Sequence, residues 1–401
     1  MRFLIALWAA KASAVLLRLL GRNATQFPGA LAMRLCPGFL AKVGKPARII
    51  AITGSNGKTT TTNFIVAALE ALGVRLLSNK LGSNLEAGIA TSLALGAKLT
   101  GAPRCAVAVF EVDERASKLI YAHVTPELLL ITNLTNDTIK RNAHPSYIRW
   151  IIEQALPSST KLVLNAADPV SAMLAVDHKR VFFALDAVAD YRALSWGDGV
   201  LRASTPTGEQ EYPLIHDNRV NVANEVAAVA VLSEFGVSEI ARGLAAAKVP
   251  GSRYQKEMIS WLSVVSMTAK SASPPAVSTA LRYAADAPGR KALIVAYDDI
   301  GEFDTGCENT CWYYDVDFTA LTDPSFVFIV FAGPRHLDAV VRALLAGVDS
   351  ALIRSTPAED AAADLVKLDG VDKLFLLHDS PLVNSEPIIK AGLRRRLGVS
   401  A

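Results

Sequence analysis

The chain has 401 residues, of which 51% are apolar and 20% charged, with a formal net charge of +3. That length exceeds one ordinary hydrophobic core and implies two or three domains, and the composition excludes a disordered chain. The charge is small and no basic run is interleaved with aromatics, so no nucleic-acid partner is expected. Cys36, Cys105, Cys307 and Cys311 are few and scattered, as in a reducing compartment. Cys307 and Cys311 could share a helical face, but no second pair completes a tetrahedral zinc site.

Residues 3–20 are apolar behind Met1-Arg2. Lys11 interrupts the run, Arg18 and Arg22 close it, and no small-residue cleavage site follows before Asn23. The pattern predicts an amphipathic or core helix, not a signal peptide or an uninterrupted membrane span. A membrane-surface helix is the functional alternative. A cytoplasmic protein is expected, with the inner face of the membrane as the alternative position. Residues 23–45, with Pro28 and Pro37, read as a loop-rich lead-in, so 1–45 forms a helix plus lead-in.

From Ala47 short apolar strands alternate with helices, the pattern of a parallel, doubly wound α/β sheet. Strands are expected at 48–52, 74–77, 105–110, 128–132, 161–164 and 180–184, with helices such as 60–72 and 145–155 between them. Residues 185–214, polar and turn-rich around Trp196-Gly197-Asp198-Gly199, read as a small β-excursion, and helix 221–235 returns to the domain. A second, smaller α/β unit is expected over 250–401, with strands at 291–296, 325–331 and 373–377 and helices at 337–346 and 358–367. The nucleotide-binding domain is then 46–249. Trp261 and Trp312 read as core or interface aromatics.

The first strand runs into Thr53-Gly54-Ser55-Asn56-Gly57-Lys58-Thr59-Thr60. The strict phosphate-loop pattern wants glycine at 52, where this chain has Ile52. The shorter form still places glycines where backbone must approach phosphate. Residues Gly54 to Thr60 are the candidate phosphate cradle. Lys58 would supply a point charge to the terminal phosphates and Thr59 a hydroxyl to Mg²⁺, so ATP or a relative with Mg²⁺ is the expected ligand. Glu111 is the first acid at the end of the 105–110 strand and is the expected metal carboxylate, beside Thr59. Asp113 and Glu114 either join it or cap the next helix. Asn133 to Asp137 aim further polar groups at the same crevice.

With these residues in place the chain resembles the Mur-type ATP-dependent ligases, and more narrowly the MurT family, the ligase-like subunits of lipid II isoglutaminyl synthase. The phosphate loop at 53–62, the segments 79–91 and 110–114, and Leu164-Asn165-Ala166-Ala167-Asp168-Pro169 carry the likeness. So do Trp312-Tyr313-Tyr314-Asp315-Val316-Asp317-Phe318 and Gly333-Pro334-Arg335-His336-Leu337-Asp338 in the last third. The resemblance implies a Mur-ligase-like central domain and a C-terminal domain that faces a partner. It implies ATP-dependent phosphorylation of the α-carboxylate of D-glutamate in the lipid II stem peptide. Ammonia from a glutamine amidotransferase (GatD-like) partner in a heterodimer would then give D-isoglutamine. Asn224 and Arg253 match nucleotide-contacting positions. Asp315 matches an acid thought to complete the partner's Cys–His pair, with Asp317 the adjacent candidate. The plainer readings are Asn221 as a helix cap, Arg253 as a surface charge, and Asp315 as a helix-end or edge-strand acid.

The chain departs from the family pattern in several places. The excursion at 185–214 holds no cysteine, where most members carry a four-cysteine zinc ribbon. Segment 133–141 lacks one Arg, one Gln and one Asp of the usual pattern, Lys270-Ser271-Ala272 replaces Lys-Asn-Pro, and His378-Asp379-Ser380 replaces a Thr-Tyr-Thr-type motif. The alternatives are a stand-alone Mur or folylpolyglutamate-type amino-acid ligase and a non-catalytic nucleotide-binding scaffold.

Overall fold

Short β-branched runs separated by helices build two mostly parallel sheets in the computed structural model, which describes residues 1–79, 83–136, 144–246, 254–269, 273–297, 312–379 and 385–399. Two units result, Met1–Thr135 with His144–Pro250, and Asn136–Ala143 with Gly251–Ala401.

In the first unit, strands β1 (Arg48–Thr53), β2 (Leu76–Ser78), β3 (Val107–Glu111), β4 (Leu128–Ile131), β5 (Lys161–Asn165) and β6 (Arg180–Ala184) are parallel neighbours in the order β2-β3-β1-β4-β5-β6. Strands β7 (Tyr191–Gly197), β8 (Val200–Thr205) and β9 (Gly208–Pro213) extend this sheet, with β7 parallel to β6 and then two antiparallel pairings. Alternate residues of one strand therefore enter different cores. Ile49, Ala51, Phe110 and Ile131 pack under the N-terminal helices, while Ile50, Ile52, Val109 and Leu130 pack under helices Lys58–Ala71 and Arg219–Glu234. The chain leaves β1 for β3 and β2 on one side and later returns to β4 on the other. That topological switch opens a crevice at the carboxyl end of β1.

Residues 23–45 are not a loop-rich lead-in, since helices Phe27–Leu35 and Phe39–Lys42 form there. Pro28 opens the first of them, where its missing N–H costs nothing. This layer packs closely on helix Glu86–Gly96. A Cβ at Gly29 would lie 2.0 Å from the Ala87 carbonyl oxygen, and the Gly29 N–H donates to Thr91 Oγ1 at 2.8 Å.

In the second unit, β10 (Tyr254–Ile259) and β11 (Leu262–Thr268) form an antiparallel hairpin. β11 then joins a parallel set with β12 (Lys291–Ala296), β13 (Phe326–Ala332), β14 (Ile353–Thr356) and β15 (Lys373–His378), in the order β10-β11-β15-β12-β13-β14. Strands β10, β11 and β14 have no counterpart among the strands read from the sequence. The helix read at 358–367 contracts to Ala362–Leu365. Trp312 is buried and stacks on Tyr313 with centroids 3.9 Å apart, whereas Trp261 is exposed at the tip of the hairpin.

Candidate functional site

The turn between β1 and helix Lys58–Ala71 bends at Gly54 (φ +131°) and Gly57 (φ +86°), conformations that L side chains rarely adopt. There is also no room for one. A Cβ at Gly54 would lie 2.2 Å from Thr132 Oγ1, and one at Gly57 would lie 2.3 Å from Asn224 Oδ1. The loop after β4 braces the turn. Asn133 accepts from the Ser55 N–H through its carbonyl (2.8 Å) and from the Asn56 N–H through Oδ1 (3.0 Å), and its Nδ2 donates to the Asn56 carbonyl at 3.0 Å. Ser55 Oγ donates to the Thr135 carbonyl and accepts from the Thr135 N–H. The helix that follows has no side-chain cap and no acid in its first turn. Its leading N–H groups and its dipole therefore face the crevice, the arrangement that suits a phosphate.

Lys58 Nζ donates to Glu114 Oε1 at 2.9 Å and to the carbonyls of Gly54 and Ser55. The Glu114 side chain is 1% exposed. Burial pushes its carboxyl up, and the Lys58 ammonium draws it part of the way back. Asp113 takes a different place, accepting from the Arg115 and Ala116 N–H groups in a turn ahead of the short helix Ser117–Tyr121. Neither acid takes a role read from the sequence: Glu114 pairs with Lys58 and does not join Glu111, and Asp113 closes the turn ahead of a helix that has no side-chain cap.

Glu111 closes β3. Its Oε2 accepts from Thr59 Oγ1 at 2.8 Å and its Oε1 from Asn84 Nδ2 at 3.1 Å. Asn79 pairs with its backbone in both directions, at 2.9 and 2.8 Å. One carboxylate and one hydroxyl converging beside a phosphate cradle fit Mg²⁺, which takes few protein oxygens and completes its shell with water and phosphate. No cluster of three His, Cys, Asp or Glu side chains suited to a metal occurs among the described residues. Asn79 and Asn84 stand in a segment singled out for its likeness, yet no metal-side role was read for them. Their signal is position, just past the end of the strand that flanks β3.

Asn224 lies against Gly57 in the first turns of helix Arg219–Glu234. The cap of that helix is Asn218, whose side chain accepts from the Asn221 N–H at 3.0 Å, and not Asn221. Asp168 ties two loops together by accepting from the Leu134 N–H at 2.5 Å and the Val170 N–H at 3.1 Å. Burial pushes its carboxyl up, and those N–H groups oppose the shift. Arg253, Lys270, Cys307, Cys311 and Asp137 lie outside the described residues.

In the second unit Asp315 ends the short helix Trp312–Asp315 and is exposed. Asp317 is engaged, accepting from the Thr319 N–H at 3.0 Å and from Arg282 Nη2 at 2.7 Å. The Thr319 hydroxyl, and after it the Arg282 guanidinium, hold its carboxyl below the usual range.

Residues 52–232 match the family described as the Mur ligase middle domain. Over 92% of this chain and 94% of the relative, the sequence is 24% identical to lipid II isoglutaminyl synthase (glutamine-hydrolyzing) subunit MurT of Staphylococcus aureus (strain COL). Among solved structures, MurF from Acinetobacter baumannii superposes with a TM-score of 0.70 at 20% identity, covering 90% of this chain and 80% of that one. MurF ligase from Thermotoga maritima, in complex with ADP, gives 0.66 at 16% identity, covering 92% and 84%. The two-sheet architecture is therefore that of the Mur ligases.

Proposed function

Because the chain belongs to the MurT family of Mur-ligase-like proteins, we propose that it is the ATP-dependent ligase subunit of a lipid II isoglutaminyl synthase, working with a glutamine amidotransferase subunit. The observation that carries this reading is the convergence of a braced phosphate turn, Lys58, Thr59 and Glu111 at the neighbouring ends of β1 and β3. In the proposed reaction an oxygen of the D-glutamate α-carboxylate attacks the γ-phosphorus, the bond to ADP breaks, and an acyl phosphate forms. Ammonia then attacks the acyl carbon, a C–N bond forms, phosphate leaves with the C–O bond, and a proton is lost to give the amide.

A carboxylate is a poor electrophile, so the phosphoryl group must come first, and most of the protein's task is positioning and charge neutralisation. Gly54 and Gly57 let the backbone approach the phosphates, and the uncapped helix start offers them N–H donors. Lys58 leaves Glu114 to meet the outer phosphates. Thr59 and Glu111 would hold Mg²⁺, which when bound neutralises charge on the transferring group. Asn84 and Asn79 fix Glu111 in place. Asn224, already against the turn, is the proposed nucleotide contact on the opposite wall, and Arg253 the other. In the second unit Asp315 is the acid offered to the partner's Cys–His pair. Its exposure supports that choice over Asp317, which is engaged by Thr319 and Arg282. A lipid-linked acceptor puts the enzyme at the inner face of the membrane.

The test is product mass with purified protein, ATP, Mg²⁺, acceptor and ammonium. Amidation lowers the acceptor by about one mass unit, whereas amino-acid ligation adds a whole residue. Turnover with ammonium, and with glutamine only when an amidotransferase is added, supports the proposal. Addition of an amino acid would establish the stand-alone ligase instead. Nucleotide binding without turnover under either nitrogen source would leave a scaffold.

A further inference from the structure

Helix Arg2–Leu19 is apolar on both sides. Ala6, Leu7, Ala10 and Ala14 are buried against the rest of its unit. The other side carries Ile5, Trp8, Val15, Leu16 and Leu19, between 48% and 80% exposed. Ile5, Trp8, Val15 and Leu19 are three, seven and four positions apart, and Leu16 lies beside them, so they form one stripe along the helix. Leu99, 63% exposed, widens it beside Trp8, whose indole N–H donates to the Leu99 carbonyl at 3.0 Å. A stripe of this kind on a folded surface marks an interaction site.

Charge identifies the occupant. The first acidic residue of the chain is Glu70, and Arg2, Lys11, Arg18, Arg22, Arg34, Lys42 and Lys45 all precede it. Arg2, Lys11 and Lys45 are engaged by the carbonyls of Leu35, Ala97 and Ala41. Arg18, Arg22, Arg34 and Lys42 remain exposed, and Arg18 and Arg22 stand at the C-terminal end of the helix that carries the stripe. A second copy docked on this face would set like charges against one another across a two-fold axis. No helix among the described residues is long and apolar enough to cross a membrane. An apolar face on a segment whose charged residues ahead of Glu70 are all cations fits the surface of an anionic bilayer.

We infer that the N-terminal helix lies in the plane of an anionic lipid surface. Ile5, Trp8, Val15 and Leu19 enter the headgroup boundary, and Arg18 and Arg22 meet lipid phosphates. This goes beyond the reaction proposed above, because it needs no nucleotide, acceptor or partner. Lipid docking can fail while the ligase chemistry stands, and the reverse.

The experiment is flotation of the whole protein with vesicles of phosphatidylcholine alone or mixed with phosphatidylglycerol. The protein is expected to float with the anionic vesicles and far less with the neutral ones. The exposed triple variant Ile5→Gln/Val15→Gln/Leu19→Gln should bind at least about tenfold more weakly, with unfolding and nucleotide binding unchanged. Arg18→Gln/Arg22→Gln should lose about fivefold per charge on anionic vesicles only. Absence of flotation by the parent protein, or equal flotation of the triple variant, overturns the inference. So does a dimer in sedimentation that the triple variant dissociates.

Discussion

Lys58 Nζ lies 2.9 Å from the buried Glu114 Oε1, so the lysine proposed to meet phosphate already holds an anion. Nucleotide must exchange one partner for another. Once Lys58 turns to phosphate, Glu114 loses the charge that drew its carboxyl down, and burial alone drives it further up. Nucleotide binding should therefore be linked to proton uptake. Titration calorimetry in buffers of different ionisation heat measures it, and Glu114→Gln should abolish the difference. An identical proton count in both proteins would remove Glu114 from the exchange. Lys58→Ala should cost about 10²–10³-fold in kcat, the scale of one lost phosphate-stabilising donor.

Glu111 is held on one oxygen by Thr59 and on the other by Asn84. Asn84→Ala leaves both proposed metal ligands in place and loosens one. It should lower Mg²⁺-dependent turnover by about 10–100-fold, with the loss partly recovered at high Mg²⁺. Glu111→Gln should lose more and recover less. A magnesium titration of both variants decides it.

Gly57→Ala should destabilise the first unit by about 1–3 kcal/mol, because it combines a positive φ with a Cβ set against Asn224 Oδ1. Asn224→Ala removes the obstacle but not the backbone strain. The double variant should be less destabilised than the sum of the two single changes, as read from urea unfolding. Strict additivity would mean that Asn224 does not wall the turn.

Glu225 is fully buried, accepts from the Ile215 N–H at 3.1 Å through Oε2, and has its pKa pushed up by burial from 4.5 to about 7. Between those values the folded chain keeps a proton that the unfolded chain releases. Stability therefore falls as pH rises from 4.5 to 7, by up to about 3 kcal/mol, and levels off above. Glu225→Gln should match the parent near the acid end of that window and exceed it in alkaline buffer. Denaturant unfolding at several pH values measures the slope, and parallel profiles for the two proteins would contradict the assignment.

Asp315→Asn should leave nucleotide binding and ammonium-driven turnover unchanged. Glutamine-driven turnover in the assembled pair should fall by about 10²-fold or more, the scale expected when a histidine loses the acid that orients it. Equal losses with both nitrogen sources would place the residue elsewhere in the chemistry.

The parallel sheet and the phosphate turn were readable because each is local. An apolar run ending in Thr53-Gly54 and restarting as a helix at Lys58 has few other solutions. The N-terminal layer was misread because Pro28 looks like a breaker in isolation, although a proline is welcome where a helix begins. β10 escaped because it is an edge strand whose Gln255-Lys256-Glu257 run is polar, and its turn uses Ser260 at φ +57° with no Asn-Gly signal. Glu114 as the partner of Lys58 was not readable at all, since the two stand 56 positions apart in the sequence. Only the placing of β3 beside β1 brings the two together. Asn218 as the cap of helix Arg219–Glu234 was missed by three positions, within the usual uncertainty of helix ends.

Gly29 leaves no gap between helices Phe27–Leu35 and Glu86–Gly96, and the second of these starts two residues after Asn84. The opening layer of the chain and the asparagine that steadies Glu111 therefore form one stiff strut. A displacement of the first helices would be passed on to the wall that carries Glu111. Crowding Gly29 with even one methyl group would be felt first in packing and then, at a distance, in how well the Glu111 carboxylate keeps its aim.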